Sequence, residues 1–392
     1  MKQLFRNGRT AAGQTEQIRL SEERVKLRVV LFIVALLIAV GAFAYGINAL
    51  FSSEPGMQEI TALSTGKLNC GDDFTFYYYL GAGEASATSE QKAIRSVYSQ
   101  AAVDAYQLFS ADAEFEDCKN LWYINQHINE EISVAPALYQ ALVLLEESGA
   151  RYHYLAPVYE LYFSLFQCQY DQETAAYDPF ANEELRSFCS ETTLYTNDAD
   201  QIRLELLGNN TVRLRISEDY LRFADENGIS CFVDLFWMKN AFIVDYIAGI
   251  LVENGYTHGS LISRDGFIRH LGDMPGTEFA FTLSHRDGVT VSDAETLRFS
   301  SAASLVYLRD YPLGDADAGN YYVFEDGTVR FPYIDPADGY CKSAIPELAA
   351  VSTEMGCAEL VLKLAPLYIA DALDQAGLQA LAREGIAVYD YS

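Results

Sequence analysis

Ile229 to Asp245 reads ISCFVDLFWMKNAFIVD, and the hydrophobic period changes inside it. Ile229 to Asp234 is a short apolar run that predicts a buried strand. From about Asn240 the apolar residues recur at helical spacing as far as Asn254, where Gly255 supplies the left-handed stop a helix favours. Aspartates mark two points of this stretch, Asp234 and Asp245, with the bulky pair Phe236-Trp237 just after the first. A lone aspartate is most often a surface group. By themselves the two read as the end of a strand and a solvated helix residue.

Working outward, the upstream chain is mainly helical. Phe74 to Leu80 (FTFYYYL) is aromatic and strand-like, and Gly81 to Ser89 is a small-residue turn. Thr88 and Gln91 have capping-box spacing, opening a helix with Ile94, Val97, Tyr98, Ala101, Ala105 and Leu108 on one buried face. A second helix is expected from Ser133, with Pro136 in its first turn and Gly149 as its stop. Tyr154 to Phe166 follows as an aromatic-rich element, and Asp171 to Phe180 as a polar loop. Then the period shortens. Ile202 to Leu207 and Thr211 to Ile216 flank Gly208-Asn209-Asn210 as a hairpin, Phe279 to Leu283 is a further strand, and Tyr321 to Phe324 pairs with Thr328 to Phe331 around Glu325-Asp326-Gly327. Helical spacing returns over Ala358 to Leu373, with Pro366 expected to kink it. Helices followed by mixed hairpins and helices indicate an α+β fold with mixed or antiparallel sheets and packed helices, and there is no internal repeat.

The first 51 residues have a different character. Val29 to Phe51 (VVLFIVALLIAVGAFAYGINALF) carries no charge and is longer than the ~20 residues a helix needs to cross a bilayer. Residues 1–28 hold seven basic groups against three acids, which sets the N-terminus on the cytoplasmic side. The alternative is a cleaved signal peptide, with Ala42-Phe43-Ala44 as the cleavage site. A lipoprotein signal is excluded, since the first cysteine is Cys70. The expected organisation is a basic cytoplasmic tail (1–28), a transmembrane helix (29–51), a tether (52–66) opening on Ser-Ser-Glu-Pro-Gly, and an extracytoplasmic domain (67–392).

Beyond the span, 20 basic residues face 52 acids, so the outer domain is near −32. Such a charge repels nucleic acid and anionic lipid. The seven cysteines show no CxxC, and the five histidines show no HExxH or paired spacing, so neither set predicts a metal centre. No Gly-x-Ser-x-Gly elbow is present, against the common esterase design. The 27 tyrosines are expected mostly in core and sheet rather than as a ligand platform.

Five segments between Gly66 and Ser392, in order, resemble the ApbE-type FAD:protein FMN transferases, extracytoplasmic enzymes that attach FMN to a threonine of partner proteins. Ala156-Pro157-Val158-Tyr159-Glu160-Leu161-Tyr162 is similar to the family's Gly-Pro-Leu-x-x-Leu-Trp, and Glu183-Glu184-Leu185 follows it. Asp234 to Asp245 resembles Asp-Leu-Gly-Gly-Ile-Ala-Lys-Gly-Tyr-Ala-Val-Asp without gaps. Both aspartates match, while the glycines fall on Phe236, Trp237 and Ala241, and the lysine falls on Asn240 with Lys239 one place early. Gly259 to Gly266 (GSLISRDG) fills the slot of Asn-x-Gly-Gly, keeping Gly266. Pro332 to Gly339 (PYIDPADG) is similar to His-Ile-Ile-Asp-Pro-x-Thr-Gly, keeping Asp335, Pro336 and Gly339, with Pro332 at the histidine and Asp338 at the threonine. Taken alone, Asp335 to Gly339 is an ordinary turn signature. Finally, the family's magnesium-holding Asp and Thr, four residues apart on one helix, fall on Glu359 and Lys363.

The resemblance implies an ApbE-like fold with a flavin-nucleotide site near Asp234, Asn240, Asp245, Gly266, Asp335 and Gly339. Its substitutions imply altered chemistry. Bulky residues at the glycine positions narrow the backbone's approach to a nucleotide. A lysine ammonium has no lone pair for magnesium, and Glu359 and Lys363 have the spacing of an i,i+4 ion pair instead. With the lysine and histidine positions held by Asn240 and Pro332, no catalytic residue is assigned and no metal is expected. FAD and magnesium enter only if the family activity is retained. The leading expectation is a pseudoenzyme that binds a ligand or partner, a membrane-associated flavoprotein or envelope protein. The alternatives are an active magnesium-dependent transferase, with Lys239 replacing the displaced lysine, and a structural subunit of an envelope complex.

Overall fold

The computed structural model describes residues 33–34, 53–63, 66–168, 177–314 and 317–391. The expected tail and span therefore lie outside the described residues except for the helical pair Ile33-Val34, as does the polar loop over residues 171–176. Among the described residues no helix is long and apolar enough to cross a membrane. Glu54–Ser392 forms one compact unit.

Its centre is a seven-stranded sheet. The strands are β1 (Gly56–Glu59), β2 (Phe74–Leu80), β3 (Gly259–Ser263), β4 (Phe267–His270), β5 (Ala303–Arg309), β6 (Glu347–Ser352) and β7 (Ala387–Asp390). Each hydrogen-bonds to the next, always antiparallel, so order across the sheet is order along the chain. All seven positions of β5 are buried, because both faces are covered. Val306 and Leu308 join the main core with the helices, while Ala303, Leu305 and Tyr307 point the other way, as the two-residue period requires. On that second face lies a long hairpin, Phe279–Asp287 with Thr290–Phe299, which seats Phe279, Leu283, Leu297 and Phe299 against them.

The helices are α1 (Ala87–Leu108), α2 (Leu121–Gln126), α3 (Pro136–Ser148), α4 (Ala156–Phe166), α5 (Glu183–Thr196), α6 (Glu218–Asn227), α7 (Lys239–Glu253), α8 (Cys357–Tyr368) and α9 (Gln375–Arg383). Helices α1, α7 and α8 share the main core with the sheet. The hairpin of Ile202–Gly208 and Thr211–Ile216 forms, with Asn209 and Asn210 both left-handed as its tight turn demands, and a short third strand, Ile132–Ser133, joins it.

Several expectations need correction. Residues 52–66 are not wholly a tether: Gly56–Glu59 pairs with β2 and Ile60 is buried, so folded structure begins before Lys67. The cap of α1 is Ser86, which accepts from Ser89 N at 3.3 Å, two residues ahead of Thr88. Helix α8 contains Pro366 but ends at Tyr368 rather than Leu373.

The run Ile229 to Asp234 joins no sheet. Its backbone is satisfied by a buried side chain instead. Asn125 accepts from Phe232 N at 2.9 Å and Val233 N at 3.0 Å, and donates to Val233 O at 2.9 Å. Asp234 N then donates to His153 O at 3.0 Å. Apolar periodicity cannot distinguish a strand from a segment that an asparagine pairs in a strand's place.

Candidate functional site

The chain enters α7 through one turn of tight helix, Phe236–Met238, and two cavities open on either side of it. The outer one, about 510 Å³, is lined by Asp112, Trp122, Tyr159, Glu160, Cys231 and Asp234 among others. The inner one, about 410 Å³, is lined by Asp73, Asn240, Arg264, Asp265, Tyr333 and Pro332 among others. Phe163, Phe236 and Lys239 border both. Each volume lies in the range of small-molecule sites, ~300–1,000 Å³.

Phe236 stands on this shared border. Its backbone is left-handed, with φ of 39°, a conformation that costs a bulky residue roughly 1–3 kcal/mol. Its ring stacks on Tyr159 at 4.7 Å with 12° between the planes, and meets Phe163 edge-on at 6.4 Å. Tyr159 is in turn fixed, because Trp237 Nε1 donates to its hydroxyl at 3.3 Å. The buried indole of Trp237 also packs edge-on against Tyr152 and Tyr333.

The polar groups form two sets. In the outer cavity Lys239 Nζ lies 3.2 Å from Asp234 Oδ1. Burial pulls the Lys239 ammonium down, but Asp234 and Asp112 outweigh it, so the net shift is upward and it stays protonated at neutral pH. In the inner cavity Asn240 Nδ2 donates to Asp265 Oδ2 at 3.0 Å, while Asp265 Oδ1 has no hydrogen-bond partner. Burial pushes the Asp265 carboxyl up to about 6, against the pull of Ser263, Asn240 and Arg309. Asp317 is occupied by the buried Arg309, 2.6 Å away.

Of the residues expected to bind a nucleotide, Asp234 and Asn240 line these cavities, as do Pro332 and the substituted positions Phe236 and Trp237. Asp245, Gly266, Asp335 and Gly339 do not. Asp245 holds the start of α8, accepting from Cys357 N at 2.9 Å and Ala358 N at 2.8 Å, with Arg269 Nε at 3.5 Å. Its burial replaces the solvated helix position its sequence context suggests. Gly266 turns the chain between β3 and β4 with φ of 100°, and a Cβ there would sit 2.2 Å from Tyr307 O. Gly339 is also left-handed and packs on Cys189. Asp335 stays within its own turn, accepting from Ala337 N at 2.8 Å and Lys342 Nζ at 3.0 Å, beside a separate cavity that includes Arg151 and Tyr152.

Glu359 and Lys363 border another groove with Leu381 and Glu384, and Lys363 pairs with Glu384 at 2.9 Å. The expected Glu359–Lys363 pair is thus replaced by a bond across to the end of α9. The same four-residue step taken two positions earlier, Cys357 and Val361, faces the core, and both are fully buried. Among the described residues no group of three or more His, Cys, Asp or Glu is placed to hold a metal ion.

Sequence reasoning missed Asp265, Asp112, Trp122 and the bond between Lys239 and Asp234. Asp265 had a signal, standing one residue before Gly266 in the same turn. Asp112 and Trp122 come from the connection after α1 and from α2, and nothing local to them points to a cavity.

The residues present do not fit FAD and magnesium as the family motif holds them. Phe236 and Trp237 place rings where the motif has glycines. Asn240 spends its amide on Asp265, Pro332 offers no polar side-chain atom, and Glu359 and Lys363 border a different groove. In the inner cavity Asp73 and Asp265 face Lys239 and Arg264, and Asp317 is paired with Arg309, so the lining offers a pyrophosphate no excess of positive charge.

The sequence matches no protein-family model. No curated protein matches it either. The fold is that of the ApbE flavin transferases. The ApbE protein of Thermotoga maritima superposes with a TM-score of 0.57 at 14% identity, covering 85% of this chain and 93% of that one. The flavin transferase ApbE from Vibrio cholerae gives 0.55 at 13% identity, covering 86% and 93%. The flavinyl transferase ApbE of Pseudomonas stutzeri, in its apo form, gives 0.54 at 13% identity, covering 86% and 90%.

Proposed function

We propose that this chain is a membrane-anchored, extracytoplasmic protein that uses an ApbE-like cleft to bind a ligand or partner without transferring flavin. One observation carries the reading: of the residues that differ from the transferase motif, Phe236, Trp237, Asn240 and Pro332 line the cleft, while Ala241, Asp338, Glu359 and Lys363 do not. A transferase must place a metal or an equivalent positive charge on the pyrophosphate as it breaks. Here the cleft's own cation, Lys239, is held by Asp234, and the acids around Arg264 offset it. What remains suits binding: aromatic walls from Phe163, Trp237 and Tyr333, the Asn240–Asp265 pair, and an exposed guanidinium at Arg264.

The anchor is residues 29–51, with the basic tail inside and the acidic domain outside, so its partner is a membrane-associated flavoprotein or another envelope protein. Full-length protein in detergent, incubated with FAD, Mg²⁺ and a threonine-bearing acceptor domain, is expected to leave the acceptor unmodified by mass spectrometry. Covalently attached FMN would establish the active transferase instead. Protease protection in intact cells is expected to leave residues 1–28 shielded and the domain accessible, and the opposite pattern would remove the anchoring.

A further inference from the structure

Phe236 combines three properties that a residue filling core does not need. Its backbone sits where a bulky side chain is strained, at φ of 39°. Its ring lies parallel on Tyr159, at 4.7 Å and 12°. And it borders both cavities, of about 510 and 410 Å³, together with Phe163 and Lys239.

We propose that Phe236 is a shutter whose ring occupies the place of a planar ring in the bound ligand. The platform is Tyr159, buried and held by the Trp237 indole, so it stays in place when the shutter moves. A ligand with a planar heteroaromatic ring displaces Phe236 and stacks on the phenol. One end then reaches Asp112 and Glu160 in the outer cavity, the other Asn240, Asp265 and Arg264 in the inner one. The strained backbone favours the exchange, since a change confined to the Phe236 backbone relieves it while the stack holds it closed. Ligand class thus follows from shape: an elongated molecule with a ring near its middle, rather than a compact ion or a sugar held by hydrogen bonds alone. This rests on the reading of the cleft as a binding site that no longer transfers flavin.

The test is to titrate full-length protein with riboflavin, and separately with adenosine, by calorimetry. Phe236→Gly removes the ring and accepts the left-handed backbone without strain. It is expected to bind at least one of the two probes tenfold or more tightly than wild type. Phe236→Leu keeps an obstructing, strained side chain and is expected to show no gain. Tyr159→Leu added to Phe236→Gly is expected to abolish the gain. If Phe236→Gly does not fold, Phe236→Asn, which also tolerates the backbone, takes its place. Failure of both to fold would overturn the proposal, since the ring would then be a structural element. So would a folded Phe236→Gly that gains nothing, or a gain equal in Phe236→Leu. FMN transfer by wild type would instead remove the reading beneath it, so the two failures are distinguishable.

Discussion

The segment from Asp234 to Asp245 has two ends that behave differently. At its start, Phe236, Trp237 and Asn240 depart from the transferase motif, and all three border the cleft. At its end, Asp245 keeps the motif and lines neither of the two cavities; it fastens the first turn of α8 to α7 and pairs with Arg269. Gly266 and Gly339 behave like Asp245, being retained where the backbone admits no side chain. Asp234 is the exception, a retained residue that does line the cleft, and there it is bound to Lys239. Within this segment retention marks mainly the frame, and the divergence at Phe236, Trp237 and Asn240 marks the cleft. A motif match counted without structure would credit both to function.

The contrast is broken most severely at Gly266. Replacement by alanine drives a Cβ to within 2.2 Å of Tyr307 O at a φ of 100°, and is expected to cost about 3 kcal/mol or more in urea unfolding, or to prevent folding. Asp245→Ala comes next. It leaves two helix N–H groups and Arg269 without their carboxylate, for an expected loss of about 2–3 kcal/mol, with probe binding in the cleft unchanged in the folded fraction. If Asp245→Ala abolished binding at full stability, the division of roles would fail.

Asp265 sharpens the comparison through pH. Its carboxyl titrates near 6 when folded, while an unfolded aspartate titrates near 4. Between those values the folded protein keeps a proton that the unfolded chain has released, so this group's contribution to stability falls as pH rises through the window and is flat above it. Discounted for partial exposure, the expected change is of the order of 2 kcal/mol, and Asp265→Asn should remove it. Asp310, also raised to about 6 by burial, has the same sign and leaves a residual slope. Stability measured from pH 4 to 7 checks both. The smallest effect belongs to Lys363→Ala, which breaks a partly exposed pair with Glu384: about 0–1 kcal/mol, and no change in ligand binding.

Much of the frame was legible in the sequence, because it rests on local signals. The stop of α3 at Gly149, the Asn209-Asn210 turn and the Gly255 stop of α7 each follow from a residue whose backbone preference dominates its surroundings. The site was less legible. Cavity walls are assembled from α2, α4, α7 and the connections between strands, and no window of sequence contains that convergence. Of the residues in the five-segment resemblance, Asn240 and Pro332 border a cavity, while Glu359 and Lys363 border a separate groove. Those two are spaced as a pair on α8, while the buried face of that helix begins at Cys357. The segment 229–234 misled for a physical reason: Asn125 satisfies its backbone as a neighbouring strand would.

The chain has two tryptophans, and they divide the cavities between them, Trp122 in the outer wall and Trp237 in the inner. Excited at the red edge of indole absorption, where tyrosine is silent, the protein therefore emits only from its cleft. Two single replacements by phenylalanine would give each chamber its own optical channel, so that occupancy of either can be followed in the purified protein with no added label.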